Sequence, residues 1–128
     1  MFNNQEEILI TPKKNTIMGK FIITKRTNDE FQFNLKASNG EIILSSEGYK
    51  TKVSCKNGIE SVQKNSPEIK MYEIKEAKNG KFHFNLKASN GQVIGTSQLY
   101  ASEASCKNGI ESVMKNAPSA TIVDETEQ

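Results

Sequence analysis

The chain has 128 residues, 17 basic and 15 acidic side chains, and 35% of its residues in the hydrophobic set. That length suits one domain or two very small ones and excludes a large multidomain enzyme. A net charge of +2, carried by 16 lysines and the single arginine Arg26, gives no basic arm and few of the guanidinium forks that read bases and clamp phosphates. Nucleic acid is therefore a disfavoured partner. Counting the eight glycines brings the apolar share to about 41%, below the roughly 45–50% of an average domain. So lean a composition predicts a thin core, as in a sheet covered on one face.

The N-terminus, Met1-Phe-Asn-Asn-Gln-Glu-Glu7-Ile-Leu-Ile10, lacks the basic start and apolar run of a signal peptide, and no stretch approaches 18 apolar residues. Residues 1–17 are expected to be an N-terminal extension: either a mistranslated upstream leader or a real extra edge strand around Ile8-Leu9-Ile10, ended by Pro12. Two cysteines are too few for a disulfide framework, and the expected location is cytoplasmic.

From Phe31 onward the chain repeats itself. Phe31–Pro67 aligns with Phe82–Pro118 at a constant offset of 51 residues, without gaps and with 24 identities in 37 positions. Such self-similarity marks a duplication. Each copy reads as strand, strand, strand, helix. The first strand is Phe21–Lys25, matched by Met71–Lys75. The second is Phe31–Ala37, matched by Phe82–Ala88, with Phe, Phe, Leu and Ala alternating with polar residues, so that one face is buried and the other wet.

Asn39-Gly40 and Asn90-Gly91 predict two-residue type I′ hairpins. That register faces Leu35 with Leu44 and Ala37 with Ile42, so Phe33, Leu35, Ala37, Ile42 and Leu44 share the buried face. Phe84, Leu86, Ala88 and Val93 follow suit in copy two, with Gly95 in the place of Leu44. The preceding hairpin needs a three-residue loop, Lys78-Asn79-Gly80 with the glycine left-handed, to pair Ile74 with Phe84.

Helices are predicted over Lys52–Lys64 and Glu103–Lys115, with Thr51 and Ser102 as N-caps and Asn65 and Pro67 as the stop. Cys55, Ile59 and Val62 form an apolar stripe toward the sheet, and Gly58 on the same stripe allows a close approach of helix to sheet. The chain then extends again over Ile69–Lys75 and Ala120–Asp124. The middle stretch is expected to close the first repeat and open the second as one long strand.

Phe-x-Phe-Asn-Leu-Lys-Ala-Ser-Asn-Gly, the Ser-x-x-Tyr element at Ser46–Tyr49 and Ser97–Tyr100, and Gly-Ile-Glu-Ser-Val-x-Lys-Asn together resemble the YegP-like family, bacterial tandem-repeat domains of unknown function. The resemblance covers Met18 to about Glu125. It implies an α+β fold in which two β-β-β-α-β repeats form one antiparallel sheet, exchange C-terminal strands and place two helices on one face. Residues 18–128 would then be a single domain, with repeat one at 18–68 and repeat two at 69–125. The chain would be a monomer with internal pseudo-two-fold symmetry, resembling a covalently joined dimer. The family brings no established activity, cofactor or catalytic residue, so none is carried over.

The side-chain inventory agrees. Cys55 and Cys106 sit on the apolar stripe, as small core residues do. His83, the single histidine, lies on a polar strand face and with two cysteines cannot complete a zinc set. No phosphate-binding loop or His-Glu-x-x-His motif occurs. No catalytic, metal or cofactor site is expected. One constellation stands out: the register gathers Asn34, Lys36, Ile43 and Ser45 on the sheet's second face, and Asn85, Lys87, Ile94 and Thr96 in copy two. Asn34, Lys36, Ser45, Asn85, Lys87 and Thr96 are the candidate binding residues. The sequence therefore predicts a non-enzymatic binding or interaction module with a protein partner or an anionic small ligand and no role for a membrane; the alternative is an accessory protein binding an anionic small molecule or nucleic acid through the lysine-bearing face.

Overall fold

Alternation of apolar and polar residues starts each copy as a sheet. A computed structural model describes residues 19–126; the strand expected at Ile8–Ile10 lies outside them. Strands β1 (Lys20–Lys25), β2 (Phe31–Lys36) and β3 (Ile42–Ser45) lead to helix α1 (Lys52–Asn65). A 3-10 turn at Ile69–Met71 opens the second copy: β4 (Tyr72–Glu76), β5 (Phe82–Lys87), β6 (Val93–Thr96) and α2 (Glu103–Asn116). A second 3-10 turn, Ala117–Ser119, precedes β7 (Thr121–Asp124).

The described strands form one sheet in the order β4-β5-β6-β3-β2-β1-β7. The last strand of repeat two thus joins the first strand of repeat one, one side of the exchange that the resemblance implied; among the described residues no strand lies in the reciprocal place outside β4. β7 enters in parallel, with Ile122 opposite Phe21 and Asp124 opposite Ile23, whereas the other strand pairs are antiparallel. The sheet is therefore mixed. The copies meet at its centre, where Ser45 on β3 pairs antiparallel with Thr96 on β6, its own counterpart 51 residues on.

Two local expectations need correcting. Ile69–Lys75 is not one long strand. The Tyr72 N–H bonds to the Ile69 carbonyl, and the Tyr72 hydroxyl donates to the Ser66 carbonyl at 2.7 Å. Those bonds hold a turn closed, so the strand starts only at Tyr72. The Asn-Gly hairpins also differ. Ala37 N–H bonds to Glu41 C=O, Gly40 N–H bonds to Ala37 C=O, and of the loop residues only Gly40 is left-handed, at φ +88°. Ser38-Asn39-Gly40 is a three-residue loop, with Asn39 Oδ1 accepting from Glu41 N–H at 3.0 Å. Gly91 closes the second copy in the same way.

A β-bulge then restores the pairing. Lys36 faces Ile42, but Leu35 faces Leu44, with Ile43 as the extra residue; Lys87, Val93, Leu86, Gly95 and Ile94 repeat this. Ile42 and Val93, expected in the core, are consequently 42% and 40% exposed on the second face, while Ile43 and Ile94 are buried. Ala37 and Ala88 are only partly buried, against the edge of the core. By contrast, Lys78-Asn79-Gly80 is the expected three-residue loop, with Gly80 at φ +79° and Ile74 opposite Phe84.

Both helices lie over the core face. Thr51 and Ser102 cap them, accepting from Ser54 N–H at 3.0 Å and Ser105 N–H at 3.1 Å. Each helix runs unbroken through its Asn-Gly pair, because the glycine is a contact point: a Cβ on Gly58 would collide with the Tyr49 hydroxyl, and one on Gly109 with that of Tyr100. Tyr49 itself stacks on Phe33 with ring centroids 6.2 Å apart. Helix and sheet residues of both copies bury one continuous cluster that includes Phe33, Ile59, Phe84 and Ile110. Burial of each such side chain contributes about 1.5–3 kcal/mol. Among the described residues no helix is long and apolar enough to cross a membrane.

Candidate binding face

Four of the six residues singled out from the sequence form a single row across the middle of the second face. Cross-strand pairing runs Asn85, Thr96, Ser45, Asn34 over β5, β6, β3 and β2. Ser45 Oγ donates to Asn34 Oδ1 at 2.7 Å, and Thr96 Oγ1 donates to Asn85 Oδ1 at 2.8 Å. Each hydroxyl thereby orients its asparagine, and among the described residues the two amide Nδ2 groups carry no further hydrogen bond. The row therefore presents a preset N–H donor group at each end.

The other two candidates, Lys36 and Lys87, lie one rung beyond, opposite Ile42 and Val93. Their surroundings differ. Lys87 Nζ is 2.8 Å from Glu73 Oε1, with Lys75 a further 3.9 Å from the same carboxylate. Hydrogen bonding to Lys87, then the charge of Lys75, holds the Glu73 carboxyl below its ordinary range. At the matching position of copy one stands Ile22, opposite Asn34 on the same face, so among the described residues Lys36 makes no ion pair, although Glu125 lines the same pocket. Two lysines that the repeat makes equivalent are thus unequal in charge balance.

Ile43 and Ile94, placed in this group by the two-residue hairpin, are not on the face. The bulge puts Ile42 and Val93 there instead, and they line a groove of about 440 Å³ together with Ser45, Thr96, Glu47 and Gln98. Sequence reasoning missed these two apolar flanks. The signal that finds them is the doubled apolar step, Ile42-Ile43 and Val93-Ile94, where a plain strand would alternate. The Ser-x-x-Tyr element is structural: Ser46 Oγ accepts from Phe33 N–H at 2.9 Å, and Tyr49 exchanges two backbone bonds with Phe31.

His83 lies opposite Lys75, partly exposed. Burial, then the charge of Asp124, pushes the Cys55 thiol up to about 11, and burial raises Cys106 as well. Among the described residues no three of His, Cys, Asp or Glu stand close enough to share a metal ion.

A mixed sheet made from two β-β-β-α copies, helices on one face and a polar row on the other, defines a small tandem-repeat α+β protein. The chain belongs to the family described as a domain of unknown function, DUF1508, whose model matches twice, at residues 27–73 and 77–124. The motif resemblance to YegP-like proteins therefore holds. A UPF0339 protein of Pseudomonas aeruginosa is 55% identical over 108 residues, covering 84% of this chain and 98% of that protein. The UPF0339 protein YegP of Escherichia coli K12 is 52% identical over 108 residues, with the same coverage. The solution structure of the E. coli protein of unknown function YegP matches with a TM-score of 0.81 at 50% identity, over 85% of this chain and 94% of that one.

Proposed function

We propose that this chain is a non-enzymatic binding module that uses the second face of its sheet, centred on Ser45 and Thr96, to hold a protein partner. The observation that carries this is a groove in which exposed apolar Ile42 and Val93 stand beside Ser45 and Thr96, with the oriented amides of Asn34 and Asn85 at the two ends of the same row. A groove with apolar walls and polar groups in the same row suits a polypeptide, which offers carbonyls and side chains together. Neutralisation of Lys87 by Glu73 weighs against a symmetric anion site. The free, buried cysteines agree with a reducing, cytoplasmic location.

A second reading rests on Lys36, which lacks the acid that its counterpart has: an anionic small ligand held at that end of the row. Cross-linking capture from cell extract separates the two. An Ile42→Asp/Val93→Asp variant should lose the captured protein while a Lys36→Glu variant keeps it. If pyrophosphate instead shifts the Lys36 and Asn34 resonances saturably and capture survives the apolar substitutions, the anion reading replaces the first.

A further inference from the structure

We propose that the outer edge of β4 is a docking site for an extended strand of another protein, one with an apolar residue followed two positions later by a lysine or arginine. The fold carries a template for this at its opposite end. There β7 lies parallel against β1, and Phe21 and Ile23 beneath it are fully buried. Their counterparts 51 residues on, Tyr72 and Ile74, are only half-buried, and among the described residues no strand lies outside β4. A cleft of about 440 Å³ stands in that place, lined by Ile69, Tyr72, Ile74 and Ile110 and bounded by Lys107 and Glu111.

The backbone is ready for pairing. The hairpin closes through Ala77 N–H and Lys81 C=O, and outward and inward groups alternate along an antiparallel strand. The N–H and C=O of Ile74 and the C=O of Tyr72 therefore point away from β5. On β1 the counterpart of the Ile74 carbonyl is in use: Ile23 C=O accepts from Glu125 N–H. Adding a strand there is β-augmentation, with main-chain bonds supplying affinity and side-chain pockets supplying selectivity.

Charge sets the occupant. β7 is anchored by Asp124, whose Oδ2 lies 2.9 Å from Lys52 Nζ on α1. The counterpart of Lys52 is Glu103, exposed on α2 and 3.7 Å from Lys107, its one ion-pair partner among the described residues. The anchor has changed sign, so an incoming strand needs a cation where β7 has Asp124. The C-terminal strand of a second copy would set Asp124 against Glu103 and is already used on its own β1. This edge is separate from the Ser45–Thr96 face, and either site stands without the other.

The test titrates two capped peptides into the isotope-labelled full chain: Ser119–Glu125 as it stands, and the same peptide carrying Asp124→Lys. The lysine peptide should give saturable shifts and slowed amide exchange at Ile74, and should bind about fivefold more tightly than its aspartate twin. A Glu103→Lys protein, altered at an exposed position, should reverse that order. Equal affinities, shifts confined to β1 and β7, or no saturation at low-millimolar peptide would overturn the proposal. So would self-association without peptide that protects Ile74, because a second copy would then be the occupant.

Discussion

Leu44 fills the space left by the absent side chain of Gly95. A Cβ on Gly95 would lie 2.6 Å from both Cγ and Cδ2 of Leu44. The two positions are equivalent in the repeat, yet they meet across β3 and β6 beside the Ser45–Thr96 pair, where there is room for one leucine. Gly95→Ala should overpack and destabilise by about 1–3 kcal/mol. Leu44→Ala should leave a cavity and cost about 2–5 kcal/mol. Moving the leucine to the other strand, as Leu44→Gly with Gly95→Leu, conserves volume and should cost at least ~1 kcal/mol less than the sum of its single changes. Urea denaturation of the four proteins measures this coupling. Strict additivity would show that the contact is not what breaks the symmetry of the repeat.

Gly58 gives a second prediction, in which local propensity and packing oppose each other. Alanine in a helix interior is better than glycine by about 1 kcal/mol. At Gly58 its Cβ collides with the Tyr49 hydroxyl and comes within 3.1 Å of Phe33, an overpacking cost of about 1–3 kcal/mol. Gly58→Ala should therefore lower the thermal midpoint despite its helix propensity. In a Tyr49→Phe background, which removes the struck hydroxyl, the penalty should shrink. A rise in stability on Gly58→Ala alone would mean that helix and tyrosine are less tightly apposed than the contact geometry requires.

How much of this was legible in the sequence follows from which interactions are local. The 51-residue offset, the capped helices and the Cys55-Ile59-Val62 stripe are encoded by neighbouring residues, and these appear where the pattern puts them. The Lys78–Gly80 loop was legible because a two-residue alternative split the apolar face. At Asn39-Gly40 both loop lengths preserved the Leu35–Leu44 pair, one of them by means of a bulge, so alternation could not choose between them. The candidate row survived that error because Asn34 and Ser45 lie beyond the bulge. Ile42 and Val93 were misplaced because they lie before it. Neither the Lys87–Glu73 pair nor the parallel entry of β7 had a local signal, since each joins residues brought together only by the assembled sheet.

The thiols give a third prediction. Cys55 and Cys106 are both free and fully buried, and the Cys55 thiol is pushed up to about 11, first by burial and then by Asp124. Little reactive thiolate exists at neutral pH, and reagent has no path to it. Neither cysteine should react with a disulfide reagent in the native protein. Both should become reactive along the same urea transition that far-ultraviolet circular dichroism reports. Fast labelling of Cys106 below that transition would reveal local opening of α2 and break the two-state picture.

Acid should release the C-terminal strand first. Asp124 is held to about 2, below its ordinary value near 3.8, by hydrogen bonds from Thr126 and then from Lys52. A carboxyl depressed in the folded chain favours folding fully above its unfolded value, and that contribution is lost as pH falls from about 4 through 2. The urea midpoint should therefore drop across that window. Asp124→Asn should lower the midpoint at pH 6 and remove part of the acid-dependent drop, so that the two proteins converge near pH 2. Lys52→Met should behave alike at pH 6, since β7 is anchored to α1 through this pair. Amide exchange supplies the local readout: Thr121 and Glu125, whose N–H groups bond to Gly19 and Ile23, should lose protection before the centre of β2 does. Equal loss along β7 and β2 would show that the strand unfolds only with the whole sheet and that the ion pair is not its separate latch.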